Sequence, residues 1–269
     1  MTTLTLKSQP MVPLEAETIT PDRFLGKTSP EIAVLPVTYG NQSAALGDWF
    51  TVDGDSTPDI VIEGDLSRVK QIGAGMTQGK ITIHGNVGMH LGAAMRGGEI
   101  VVHGNAGDWA GAEMHGGLIR IIGNAGHGLG GAYRGTRRGM NRGTIIVTGN
   151  AGNEVGATMR RGLIVVMGDV GDFCSAFMIA GSIIVFGKLG ARPGAGMKRG
   201  TIIAFQPPEL LPTFRGACTY QPTFLQMLLQ QLRSLEIEIA QNQIEGRYRR
   251  YVGDMNALGK GEILVWEGE

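Results

Sequence analysis

Cysteine is nearly absent: Cys174 and Cys218 are the only two in 269 residues, too few for a disulfide framework. Net charge is missing too. The 24 basic and 24 acidic residues balance to +0, so no global field draws the chain to nucleic acid or to an anionic membrane. Long apolar runs are lacking, and stretches such as Ile183–Phe186 fall far short of the ~20 residues that a membrane span needs. The opening residues, Met1-Thr-Thr-Leu-Thr-Leu-Lys-Ser8, show no basic stretch followed by an apolar one, so no secretory signal is expected. Asn41-Gln42-Ser43 then matches a glycosylation sequon by chance. The expectation is a cytoplasmic protein with neither nucleic acid nor membrane as a partner.

Glycine is in excess, with 44 residues where the ordinary share is about 7 %. No three-residue collagen period accompanies it. Each glycine costs chain entropy on folding, so this density needs a structural cause. The cause is a repeat. Gly-Asn pairs open successive units at Gly85-Asn86, Gly104-Asn105, Gly123-Asn124 and Gly149-Asn150, and Gly168-Asp169 and Gly187-Lys188 continue the series. The spacings are 19, 19, 26, 19 and 19 residues, with a seven-residue insertion inside Gly131–Gly143. A degenerate unit starts at Gly64-Asp65 and a last one closes at Gly200–Phe205.

Each unit reads Gly-Asn-x-Gly-x-x-x-Gly-x-x-Met-x-x-Gly and then a short alternating strand, as in Ile81/Ile83, Ile100/Val102, Ile119/Ile121 and Ile183/Val185. Alternation of β-branched residues predicts a half-buried strand, and a 19-residue period suits one coil of a β-solenoid. The expected fold is all-β, a right-handed β-helix of about seven coils. Residues 1–63 cap one end, 64–205 form the repeats, and 206–269 cap the other end. An amphipathic helix is expected over Pro222–Gln241, with Leu225, Leu228, Leu229, Leu232, Leu235 and Ile239 on one face. Val87, Ala106, Ala125, Ala151, Val170 and Leu189 form one interior column. The glycines are expected where the chain turns through φ > 0, and the Asn side chains suit hydrogen bonds from coil to coil.

Sites for chemistry are scarce. Gly73-Ala-Gly75 and Gly128-Leu-Gly130 resemble nucleotide loops, but they belong to the repeat and open no helix. His84 and His103 share a column that continues with Ile122, Thr148, Met167 and Phe186, so no third metal ligand follows. Cys174 falls in an apolar interior column and reads as a small hydrophobe. The methionine column, counted as Met95, Met114, Tyr133, Met159, Met178 and Met197, reads as packing. No catalytic residue and no metal site is expected. What stands out is a basic stripe: Arg96, His115, Arg134, Arg160, Ile179 and Lys198 in one column, Arg161 and Arg199 beside it, and Arg137, Arg138 and Arg142 from the insertion. The stripe reads either as a solvated charged face or as a docking surface for an acidic partner or polyanionic ligand.

The Gly-Asn-x-Gly-x-x-x-Gly-x-x-Met repeat resembles the glycine-motif β-helix that ends the large subunit of glutamate synthase. Together with Ile19-Thr-Pro-Asp22, Leu46-Gly-Asp48, Tyr248-Arg-Arg-Tyr-Val-Gly-Asp254 and Gly259–Leu264, it more closely resembles the C subunit of formylmethanofuran dehydrogenase, over nearly the whole chain. The first resemblance implies, as an alternative, a stand-alone glutamate-synthase-like β-helix binding module; the second implies one of two branches. One is a tungsten- or molybdenum-dependent dehydrogenase. The other is a bacterial formyltransferase/hydrolase complex, which passes a formyl group from formyl-tetrahydromethanopterin to a methanofuran analogue and hydrolyses it to formate. In both, the resemblance implies that catalysis resides on A-, B- and D-type subunits and that the C-type subunit is scaffold. No cofactor is then expected on this chain, although the glutamate-rich tail of a methanofuran analogue is one candidate ligand for Arg96, Arg134, Arg160, Arg161, Lys198 and Arg199. Arginine outnumbers lysine 17 to 7 and charged residues total 18%, unlike heat-adapted proteins, which favours the bacterial branch.

Overall fold

A computed structural model describes residues 1–54 and 57–268. The chain is mostly β, with few and short helices. Its main sheet has 13 strands. In the middle of that sheet Lys80–His84, Glu99–Val102, His115–Ile121, Arg142–Val147, Leu163–Val166, Ser182–Val185 and Arg199–Ala204 pair in parallel, each with the next. The register follows the repeat: Ile81, Ile100, Ile119, Ile145, Ile164, Ile183 and Ile202 lie side by side, all fully buried. A second line of single parallel bridges joins Leu66, Val87, Ala106, Ala125, Ala151, Val170 and Leu189. The interior column read from the sequence is therefore a line of backbone contact as well as of apolar packing.

Two devices hold successive repeats together. The first is the Gly-Asn pair. Asn86 Oδ1 accepts the backbone N–H of Asn105, and the same bond recurs from Asn105 to Asn124, Asn124 to Asn150, Asn150 to Asp169 and Asp169 to Lys188, at 2.7–2.9 Å. A parallel ladder runs through Asp108, His127, Asn153 and Asp172 to the N–H of Ala191. His127 serves there through Nδ1, 2.8 Å from the Asn153 nitrogen, which requires Nδ1 to be unprotonated. From Gly104 to Gly187 the glycines of these pairs do not sit at positive φ, contrary to the sequence expectation. They are small because the preceding repeat lies against them: a Cβ on Gly168 would come 2.2 Å from Asn150 Oδ1. Gly clears the space that Asn then fills.

The second device joins methionine to glycine. Met76, Met95, Met114, Met140, Met159, Met178 and Met197 are all buried. Their Cε atoms stand where a Cβ would lie on Gly98, Gly117, Gly143, Gly162, Gly181, Gly200 and Gly261, 2.6–2.9 Å from it. The flexible thioether fills each notch. This column corrects the one counted from the sequence, because Met140 takes the place assigned to Tyr133.

The ends of the sheet are antiparallel. Thr2–Leu6 lies parallel to Asp59–Glu63 and is followed by antiparallel Phe50–Asp53. At the other end Lys260–Trp266 pairs in parallel with Arg199–Ala204, then Tyr248–Gly253 and Arg215–Tyr220 run antiparallel. The C-terminal helix is shorter than expected, Thr223–Ser234. Leu235 caps it and Glu236 adopts a left-handed φ of 64°, so Ile239 is buried from the following segment rather than from the helix. Leu225, Leu229 and Leu232 pack over the outward strand residues Ile146, Val165, Ile184 and Ile203, and the Arg120 guanidinium donates to the Leu235 carbonyl at 2.9 Å. On the earlier strands the same outward column runs Val61, Thr82, Val101 and Arg120, all half-buried.

Replacing Asn150 with Ala removes one ladder bond and is expected to cost about 1 kcal/mol in chemical denaturation. Gly168→Ala is expected to cost more, and the Asn150→Ala/Gly168→Ala double variant to recover part of that cost. Strict additivity would contradict the shared-space account.

Candidate functional site

Hydrogen bonds define the basic column directly. The backbone N–H groups of Arg96, His115, Asn141, Arg160, Ile179 and Lys198 donate to the carbonyls of Met76, Met95, Met114, Met140, Met159 and Met178 at 2.7–2.9 Å. Asn141, not Arg134, belongs to this column. The insertion precedes Met140, so counting forward from the third glycine of the unit misplaces Arg134 by its full length. The signal was present in the sequence, since Met140-Asn-Arg-Gly-Thr144 parallels Met197-Lys-Arg-Gly-Thr201. The neighbouring column holds Arg142, Arg161, Ala180 and Arg199. Lys260 extends it through the Arg199–Lys260 strand pair, a member that lies outside the repeat and that sequence reasoning missed.

Arg142, Arg160, Arg161, Lys198, Arg199 and Lys260 thus gather on one corner of the stack, while Arg96 lies further along it. All except half-buried Arg160 are exposed. Among the described residues none of them enters an ion pair or a side-chain hydrogen bond; the four ion pairs present are Lys80–Glu99, His84–Glu63, Arg120–Glu99 and Arg250–Glu262. Between the charged repeats, Ile179 and Ala180 leave a dip of about 250 Å³, walled by Arg160, Arg161, Lys198, Arg199 and Leu258. The corner is a cationic rim over a small apolar floor, with no acidic side chain in the lining. Arginine's planar fork suits carboxylates in such a place.

Leu258 is positioned by buried Asp254. Its carboxylate accepts the N–H groups of Gly196 and Asn256, each at 2.9 Å, and its carbonyl accepts those of Ala257 and Gly259 at 3.0 Å. Burial alone would raise the Asp254 pKa, but the amides that bond its charged form outweigh it and hold the group below the usual carboxylate range.

His84 and His103 stack at 4.7 Å. No group of three or more His, Cys, Asp or Glu residues able to hold a metal ion occurs among the described residues. Cys174 is buried, and burial pushes its thiol up to about 12, far from thiolate reactivity. No helix among the described residues is long and apolar enough to cross a membrane.

A stack of glycine-rich repeats joined by parallel strands defines the class of protein this is. The GXGXG motif family model matches residues 72–214. The Fhc C subunit of the formyltransferase/hydrolase complex of Methylorubrum extorquens is 50% identical over 265 residues, 98% of this chain and 99% of that protein. A chain in the crystal structure of the M. extorquens formyltransferase/hydrolase complex (FhcABCD) with methylofuran matches with a TM-score of 0.92 at 40% identity, covering 98% of both chains. The C subunit of the tungsten-containing formylmethanofuran dehydrogenase 2 of Methanothermobacter marburgensis is 48% identical over 93 residues, 33% of this chain and 34% of that protein, so the chain matches about a third of the length of such dehydrogenase relatives. The chain belongs to the family of the C subunits of formyltransferase/hydrolase complexes.

Stability at acid pH reports Asp254. With its folded pKa depressed, its contribution is full above the ordinary aspartate range and is lost as pH falls through the lower folded value. Asp254→Asn is expected to lower the melting temperature at pH 7 and to narrow the gap to wild type as the pH drops below about 4, the ordinary aspartate value. An equal gap at both pH values would contradict this.

Proposed function

We propose that this chain is the scaffold subunit of a formyltransferase/hydrolase complex, carrying no catalytic group itself and holding A-, B- and D-type subunits in place. The assembly passes a formyl group from formyl-tetrahydromethanopterin to a methanofuran analogue and hydrolyses it to formate, in the cytoplasm. The observation that carries this reading is likeness to the Fhc C subunit along the whole chain. Likeness to the metal-dependent dehydrogenase subunits spans only a third of it, which makes that branch the weaker alternative.

The form of the scaffold follows from the repeat. Consecutive parallel strands in one sheet, joined by crossovers, take the right-handed connection in nearly all proteins. The 19-residue units on this reading wind as a right-handed β-helix of about seven coils over 64–205, capped by 1–63 and 206–269. Such a body is quasi-one-dimensional, and each surface column offers a straight row of contacts. The cationic corner formed by Arg142, Arg160, Arg161, Lys198, Arg199 and Lys260, with Arg96 beyond it, is the contact for an acidic surface of another subunit. Arg134 serves elsewhere.

A tagged chain recovered from its native extract is expected to bring A-, B- and D-type subunits and formate-releasing activity without tungsten or molybdenum. Recovery of the chain alone contradicts the reading. Arg160→Glu/Arg161→Glu/Arg199→Glu is expected to abolish co-purification while the isolated chain stays folded. Intact assembly with weakened retention of the cofactor would instead assign the corner to an acidic ligand.

A further inference from the structure

The insertion builds a second surface. Residues 133–138 leave the stack and return before Met140 as a fixed wall. Tyr133 Oη lies 3.0 Å from His90 Nδ1, and its ring packs beside Trp109. The Glu113 carboxylate accepts from the Tyr133 N–H and from the Thr136 hydroxyl. Ala132 and Gly139 donate to the carbonyls of Ala157 and Thr158. Below this wall lies a mainly apolar groove of about 560 Å³, lined by Tyr133, Arg134, Thr158, Phe173, Ala176 and Phe177 among others.

Phe177 is out of place by ordinary folding rules. Phe173 and Phe177 hold left-handed backbones, φ 60° and 54°, at a cost of about 1–2 kcal/mol each for an L-residue. Phe177 recovers little by burial, being 65% exposed. Positions equivalent to Phe177 on other repeats hold Gly75, Ala94, Glu113, Ala132, Thr158 and Gly196, so a smaller residue would serve the stack better; the Phe173 column by contrast carries Gln71, His90, Trp109, Glu154 and Arg192 at left-handed φ. A strained, exposed aromatic beside a preformed groove marks a contact surface. Arg134 lines the groove, and Arg137 and Arg138 follow the lining residue Thr136 in the chain; all three arginines are exposed and enter no ion pair among the described residues. Glu154 is the one carboxylate in the lining, and Arg192 sits over the Phe173 ring at 5.5 Å.

We propose that this groove receives a polypeptide segment of another subunit, which seats an apolar side chain between Phe173 and Phe177 and sets acidic residues against Arg134, Arg137 and Arg138. The occupant follows from the apolar lining around Ala157, Phe173, Ala176 and Phe177 and from the arginines of the wall beside it. A rigid wall keeps the ordering cost of docking low. This inference rests on the assembly reading above and names a face distinct from the cationic corner.

The test uses the complex purified with the tagged full chain. Phe177→Gly relieves backbone strain, so the isolated variant is expected to melt at or above the wild-type temperature, yet to bind the other subunits at least tenfold more weakly. Arg134→Glu/Arg137→Glu/Arg138→Glu is expected to weaken assembly likewise. A photoreactive benzoylphenylalanine at position 177 is expected to cross-link, within the complex, to an acid-containing segment of a different subunit. Wild-type assembly with both variants unimpaired, or a cross-link to a second copy of this chain or to no subunit, overturns the groove assignment alone. A wild-type chain that captures no subunit overturns the assembly reading, and this inference with it.

Discussion

The spacing of hydrogen-bonded strands, ~4.8 Å, governs this molecule. Repeats that stack at that distance along a second line as well as along the strands leave no room for side chains between them, so the chain is forced to glycine wherever one backbone crosses close over another. The Gly-Asn ladder and the methionine-in-glycine column are two answers to the same constraint. In one, a side-chain amide occupies the cleared space and takes the next backbone N–H. In the other, a flexible thioether fills the notch. Both transmit register along the stack, so every surface position inherits a straight row of equivalents.

Those rows explain how a stack of near-identical repeats acquires distinct faces. A repeat unit is free to vary only where its side chains face outward, and variation at one position becomes a feature several repeats long. Basic residues at two adjacent positions give the cationic corner. The omission of charge at Ile179 and Ala180 gives it a floor. The insertion interrupts the row and thereby builds a wall, with the groove beneath it. The C-terminal helix uses a third face. It covers the outward residues Ile146, Val165, Ile184 and Ile203 of four successive strands.

Much of this was legible in the sequence because the repeat is strict. The alternating isoleucines, the Val87–Leu189 column and the Asn ladder all follow from period and residue type. Four things were not read from it, each for a physical reason. The role of Gly104 or Gly168 depends on what the preceding repeat places against it, and local turn rules see only φ. The place of Arg134 depends on which side of Met140 the insertion falls, and counting forward from the third glycine passes over the match of Met140–Thr144 to Met197–Thr201 that shows it. The end of the helix at Ser234 depends on a left-handed Glu236 and on burial of Ile237 and Ile239 against the sheet, while the leucine pattern by itself runs on. Lys260 joins the corner only through pairing with the Arg199–Ala204 strand, far back in the chain.

The claim at the centre is that the stack is a preformed scaffold whose faces, rather than its interior, respond to assembly. Hydrogen–deuterium exchange of the chain alone and inside the purified complex tests this most directly. The account predicts equally protected interior strands in both states, with added protection in the complex confined to the corner around Arg160–Arg161 and Lys198–Arg199 and to the groove around Phe173 and Phe177. Protection gained throughout the strands on assembly, or no change at either face, would contradict it.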